Sequence, residues 1–150
     1  EWVHQTKMIQ YIEATTKEEP YYSKVLFLAG GISNCPDWQK EVVDQIHDMN
    51  ITVYNPRKAV FGSETREQIV WEFNALRKST HVSFWFPKDT VCPITLFEYG
   101  AALERDHRII VGCDRNYSRM FDLIVQTELM RPGLSIQLEL SRLISKIKEI

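Results

Sequence analysis

Cysteine is scarce in this chain, and what there is excludes more than it suggests. Cys35, Cys92 and Cys113 are odd in number and widely spaced. No pair has metal-ligand spacing, so neither a zinc site nor a disulfide framework is expected. Reduced thiols fit a cytosolic setting, and a cytoplasmic protein is expected. No apolar run reaches the length of about 20 residues that spans a bilayer. No charged, apolar leader pattern opens the chain, so no membrane association is expected. An excess of charge of one sign is also missing. The formal net charge is −2, which argues against a polymeric nucleic acid as partner but leaves room for a nucleotide-sized ligand. Glycine numbers only six. The Gly30-Gly31 pair lacks the third glycine and the spacing of a dinucleotide fingerprint, and there is no Walker lysine loop. His4, His47 and His107 show no Ser or Cys partner pattern, and Cys92 has no evident His partner. There is no internal repeat and no low-complexity segment.

What is present is a pattern of short apolar runs alternating with amphipathic stretches. At 150 residues the chain is read as one domain, 1–150, with an N-terminal strand and loop over 1–24 and a C-terminal helix within 134–150. Met8 to Ala14 leans towards an edge strand. Val25 to Ala29, Ile51 to Tyr54, Val82 to Phe86 and Arg108 to Gly112 read as strands, most of them buried on both faces. Pro36 suits the first turn of a helix whose stripe is Trp38, Val42, Val43, Ile46 and Met49. Ser63 can cap a helix from about Glu64 to Ser79, with Ile69, Phe73 and Leu76 on one face and Trp71 and Glu72 to the side. Ile94 to Arg105 reads as helix. Arg119 to Met130 reads as helix with a strand alternative at Asp122 to Val125. Leu138 to Ile150 reads as a terminal amphipathic helix, its stripe either core or interface. Strand–helix alternation predicts a doubly wound parallel α/β sheet, with the loops at the carboxyl ends of the strands gathered on one edge.

The residues on that edge carry the candidate chemistry, each with two readings. Glu98 follows a central strand, where a carboxylate can serve as nucleophile or acid/base group. Thr95 to Glu98 also has capping-box spacing, which places Glu98 in the first helical turn, folded back on Thr95. Gly30-Gly31 is a plain loop or a cradle for a sugar or phosphate at backbone N–H groups. Arg57 is an anion ligand or a surface ion pair. Glu72 lies on a solvated helix face or turns towards Glu98. Asp89 caps its loop or supplies an acid. His81 reads as structural. Trp38, Trp71 and Trp85 read mostly as core, with one of them, or Phe97, able to stack on a base. The loop Asp114 to Tyr117, with Asn116, closes the set. Two carboxylates on one pocket match glycosidic bond cleavage, in which one attacks the anomeric carbon and the other handles protons.

Taken in order, VLFLAGGISNCPDWQKEVV, ITVYNPR, EQIVWEFNAL, HVSFWFPKDTVCPITLFEYGAAL, RIIVGCDRNYSRMFDLIVQTEL and the RPG after them resemble the nucleoside 2-deoxyribosyltransferase superfamily. The likeness is greatest to its nucleoside 2-deoxyribosyltransferase-like branch. The resemblance implies a flavodoxin-like fold and a retaining double displacement at C1′ of a nucleoside or nucleotide. It falls on Glu98 as nucleophile, in Pro93-x-x-x-x-Glu98-x-Gly100. It falls on Glu72 for orienting the sugar, where Asp is commoner in the family. It falls on Asp89, through a looser alignment, for protonating the base. The helix N-terminus would hold Glu98 ionised. Gly30, Gly31, Ser33, Arg57, Trp71, Thr95 and Asn116 are the implied substrate contacts, of which Ser33, Arg57 and the glycine pair would suit a 5′-phosphate. No cofactor or metal is implied, and family habit implies a homo-oligomer. Transferases of the superfamily bring a C-terminal carboxylate, often with a neighbouring subunit, to the sugar 5′ end; that feature is not carried over to the amphipathic helix expected at Leu138 to Ile150. Two other readings stand beside catalysis on a nucleoside: a nucleotide-sensing module without turnover, and a NAD-type glycohydrolase.

Overall fold

The computed structural model describes residues 8–58, 65–105 and 108–150. Six strands form one parallel sheet in the order β1-β3-β2-β4-β5-β6. They are β1 (Gln10–Glu13), β2 (Val25–Gly30), β3 (Thr52–Asn55), β4 (His81–Phe86), β5 (Arg108–Cys113) and β6 (Ile136–Gln137). The helices are α1 (Trp38–Ile46), α2 (Arg66–Lys78), α3 (Pro93–Leu103), α4 (Met120–Met130) and α5 (Leu140–Ile147). This is a flavodoxin-like, doubly wound α/β domain. β2, β3 and β4 are buried at every position, because helices cover both sheet faces.

Two cores result. Val42 and Ile46 of α1 and Leu143, Ile144 and Ile147 of α5 meet Leu26, Leu28 and Val53 on one face. Ala75 of α2, Tyr99 and Ala102 of α3 and Leu123 of α4 meet Phe27, Val82 and Phe84 on the other. The stripe of α5 is therefore core. The chain leaves β2 through α1 to β3 on one side, then crosses back through α2 to β4 on the other. The order reverses between β2 and β4, and the loops after these two strands part there to open a crevice.

Several boundaries differ from expectation. Helix α1 starts at Trp38, with Asp37 as its cap accepting from the Lys40 N–H, so Pro36 stands outside it. The proposed Ser63 cap lies outside the described residues, and Thr65 caps α2 by accepting from the Gln68 N–H. Helix α4 runs through Asp122 to Val125, which settles the strand alternative. The two-residue β6 was not expected. It pairs Val111 with Ile136 and shortens the terminal helix to α5.

The largest correction is the orientation of α2. Of Ile69, Phe73 and Leu76, expected to share one face, only Leu76 packs against the core, while Ile69 and Phe73 are 59% and 53% exposed. Ala75 is buried, and Trp71 packs on Phe27 and Tyr54 with ring centroids 6.5 and 5.6 Å apart. The larger aromatic surface of Trp71 decides which side faces the sheet, and this turns Gln68 and Glu72 towards the crevice.

Candidate active site

The crevice starts at the end of β2. A β-carbon on Gly30 would lie 2.4 Å from both Cζ2 of Trp38 and the carbonyl oxygen of Trp85. One on Gly31 would lie 2.8 Å from Cγ of Pro87 and 3.1 Å from the sulfurs of Cys35 and Cys92. Glycine is required at both positions by close approach of neighbours. The Gly31 carbonyl accepts from the Trp38 indole at 3.0 Å and from the Gln39 amide at 3.2 Å, which fixes the strand end.

The opposite wall comes from β4 and α3. After Pro87 the chain runs to Cys92, which sits in the left-handed region (φ 55°) and precedes Pro93 at the first helical position. No side chain caps this helix. The expected capping box is therefore absent: Thr95 is buried within the first turn and Glu98 falls in the second. The Tyr117 hydroxyl donates to the Val91 carbonyl at 2.6 Å and holds the loop. Tyr99 is pinned by a 2.7 Å bond to Thr127 and by edge contacts on Phe84 and Phe86. With Tyr99 locked inward, its neighbour Glu98 is held on the crevice side of α3.

Glu98 and Glu72 line one cavity of about 250 Å³, reached from adjacent helices. Gly30, Gly31, Ser33 and Thr95 line it too, so six of the ten sequence-derived site residues meet there. Burial pushes the Glu98 carboxyl up to about 7. The expectation that the helix end would keep it ionised does not hold, because the macrodipole acts within the first turn and Glu98 is beyond it. Burial also pushes the Cys92 thiol up to about 12, which leaves it a poor nucleophile.

The other four residues lie elsewhere. Asp89 and Asn116 line a larger cavity of about 550 Å³ on the α1/α5 face of the sheet, with Trp38, Trp85 and Leu140. Trp71 spends its indole N–H on the Thr16 carbonyl at 3.0 Å and lines a separate groove. Arg57 is only 6% exposed and turns back into the β2–α1 loop, where it pairs with the half-exposed Asp37 carboxylate; it is not a member of the crevice wall. His81 is buried at the far end of β4, and burial lowers its pKa. Sequence reasoning missed Gln68, Thr90 and Ile94, which also line the Glu98 cavity. Gln68 had a signal: it lies four residues before Glu72, one helical turn away on the same side.

No Lys, Arg or His lines this cavity among the described residues. Two carboxylates on one cavity favour developing positive charge, as in an oxocarbenium-like transition state. A comparison with curated proteins gave no match. The family profile described as "Nucleoside 2-deoxyribosyltransferase like" matches residues 23–117, from just before β2 to the loop after β5. This span holds every one of the ten sequence-derived site residues and covers well over half of the chain, and the protein therefore belongs to the nucleoside 2-deoxyribosyltransferase-like family.

Proposed function

We propose that the protein cleaves or exchanges the N-glycosidic bond of a nucleoside. The observation that carries this reading is the meeting of Glu98 and Glu72 in one cavity at the switch point of the sheet. In it, the Glu98 carboxylate attacks C1′ as the bond to the base breaks. The electron pair of that bond goes to the base, which takes a proton from water or from Glu72 in its acid form. The glycosyl ester on Glu98 then passes to water or to a second base, with overall retention. Glu72 orients the sugar. Asp89 has no part in this reading, because it lines the other cavity. No cofactor is needed.

An uncharged nucleoside suits the cavity better than a 5′-monophosphate or NAD. Phosphate would enter beside two carboxylates with no basic side chain among the described lining residues. Arg57, the cation that would have served a phosphate, is committed to the loop behind the cavity.

A homo-oligomer belongs to the same reading. Ile69 and Phe73 of α2, Ile94 and Phe97 of α3 and Phe121 and Leu129 of α4 are 53–80% exposed. Six large apolar side chains on one layer approach the area of about 800 Å² per partner that a stable pair of copies covers. The raised pKa of Glu98 favours one alternative, a sensing module in which its neutral carboxyl donates a hydrogen bond to a bound nucleoside without turnover.

The test is chromatographic. The protein is incubated with ribo- and deoxyribonucleosides and their 5′-monophosphates, with and without a second free base. Base exchange or release from nucleosides, with monophosphates slower, is the expected outcome. Binding without base release over hours would establish the sensing module instead.

A further inference from the structure

We infer that Arg57 is a positioning residue for this cavity: from behind, its guanidinium sets the backbone of the loop whose front forms one wall. The inference rests on the glycosyl-transfer reading for its kinetic consequence, but not for its structural one.

The β2–α1 segment from Gly31 to Asp37 carries no regular structure to hold its own carbonyls. Arg57 takes up that role from the end of β3. Its backbone N–H donates to the Asn55 side chain at 2.9 Å, which fixes the turn out of the strand. One terminal nitrogen donates to the carbonyls of Ile32 and of Cys35, the latter at 3.0 Å. The other donates to the Gln39 side-chain oxygen at 3.3 Å and pairs with the Asp37 carboxylate at 3.1 Å. Gln39, fully buried, passes the restraint on through its amide to the Gly31 carbonyl. The same loop presents Gly31, Ile32 and Ser33 to the Glu98 cavity. Two carbonyls, an amide oxygen and a carboxylate are thus gathered on one rigid fork. A lysine ammonium, a single nitrogen on a flexible stem, cannot span them. Among the described residues the buried Arg57 Nε has no hydrogen-bond partner, a cost that the bonds of the two terminal nitrogens offset.

The test compares Arg57→Lys with the unaltered protein by two independent readouts. The first is steady-state kinetics on the best nucleoside. A misplaced wall weakens ground-state binding, so KM should rise about tenfold while kcat stays within about threefold. The second needs no turnover. Cys35 lies in the same loop, with its sulfur 3.7 Å from the guanidinium, whereas Cys92 and Cys113 are buried. Maleimide labelling of Cys35, and amide hydrogen exchange over 31–37, should both accelerate about tenfold on loosening. If Arg57→Lys fails to fold, Gln39→Leu removes the Arg57–Gln39–Gly31 relay but keeps the guanidinium on the Ile32 and Cys35 carbonyls, and should shift both readouts the same way, by about threefold. Unchanged labelling and exchange in a folded variant would overturn the inference. So would a loss of activity that follows only the folded fraction, with KM unmoved. If no nucleoside turns over, the proposed function fails, and the labelling and exchange results still decide whether Arg57 sets the loop.

Discussion

The two helical layers on this sheet are unlike. Helices α1 and α5 turn their apolar residues inward, so that Val42, Ile46, Leu143, Ile144 and Ile147 are at most 2% exposed. Helices α2, α3 and α4 also bury a core, yet they leave Phe97, Phe121 and Leu129 nearly 80% exposed. Helices apolar on every side are normally covered on every side. The first layer is complete within one chain, whereas the second invites a covering surface. The cavity with Glu72 and Glu98 opens through this second layer. The cavity on the complete layer is larger but has mixed charges, with Lys88 and Arg115 among its acids. Size alone would favour the larger cavity; the proposed function rests on the smaller one, because Glu72 and Glu98 both line it.

That contrast can be broken most decisively at Glu98. Glu98→Gln should reduce turnover by about a thousandfold or more, because the amide cannot form the glycosyl ester. Near-normal turnover in a folded variant would remove Glu98 from the chemistry and the smaller cavity from its role. The pH dependence follows from the raised carboxyl. In the unaltered protein, kcat/KM should climb with pH and level off above about 7, as Glu98 ionises. The stability sign is opposite. An unfolded glutamate releases its proton near 4.5, and the folded one holds it to about 7. Between those values the unfolded chain binds fewer protons, so stability falls as pH rises. Glu98→Gln should therefore be more stable than the unaltered protein at pH 8, by about 1–3 kcal/mol, with the gap closing near pH 4. Denaturant melts at the two pH values check this.

Next in size is the difference between the layers themselves. Leu143→Ala, on the complete layer, should cost about 2–5 kcal/mol in urea unfolding. Phe97→Ala, on the open layer, should cost under about 0.5 kcal/mol within a single chain but should lower the sedimentation coefficient of any assembly. Equal losses at both positions would mean that the layers are not different in kind. The smallest effect is expected at Asp89. Asp89→Asn should change kcat/KM by less than about threefold, since the residue faces the other cavity. A hundredfold loss would show that the two cavities act on one substrate.

Strands β2 and β4 were legible in the sequence because a parallel strand covered on both faces has no polar side to interrupt it. Glu98 was legible as a crevice residue for the same reason: the end of an unmistakable central strand lies just before it. Its cap was not. Thr95-x-x-Glu98 fits a capping box in spacing, but Pro93 starts the helix earlier and moves both residues inward by most of a turn. The face of α2 was misread because periodicity shows where apolar residues cluster and not which cluster the sheet covers. Trp71 outcompeted Ile69 and Phe73 for that contact. Arg57 shows the limit most plainly. Whether a cation at a strand end reaches out to a ligand or back to a loop depends on carbonyls from Ile32 and Cys35, more than twenty positions earlier.

Trp38 gives the cavity an optical handle. Its indole ring lies against Gly30, and its N–H is bonded to the carbonyl of Gly31, a residue of the cavity wall. A ligand that presses on the wall alters the polarity and hydrogen bonding sensed by a buried chromophore that it never touches. Occupancy of the Glu98 cavity should thus be visible as a shift in tryptophan emission, in a protein that needs no label.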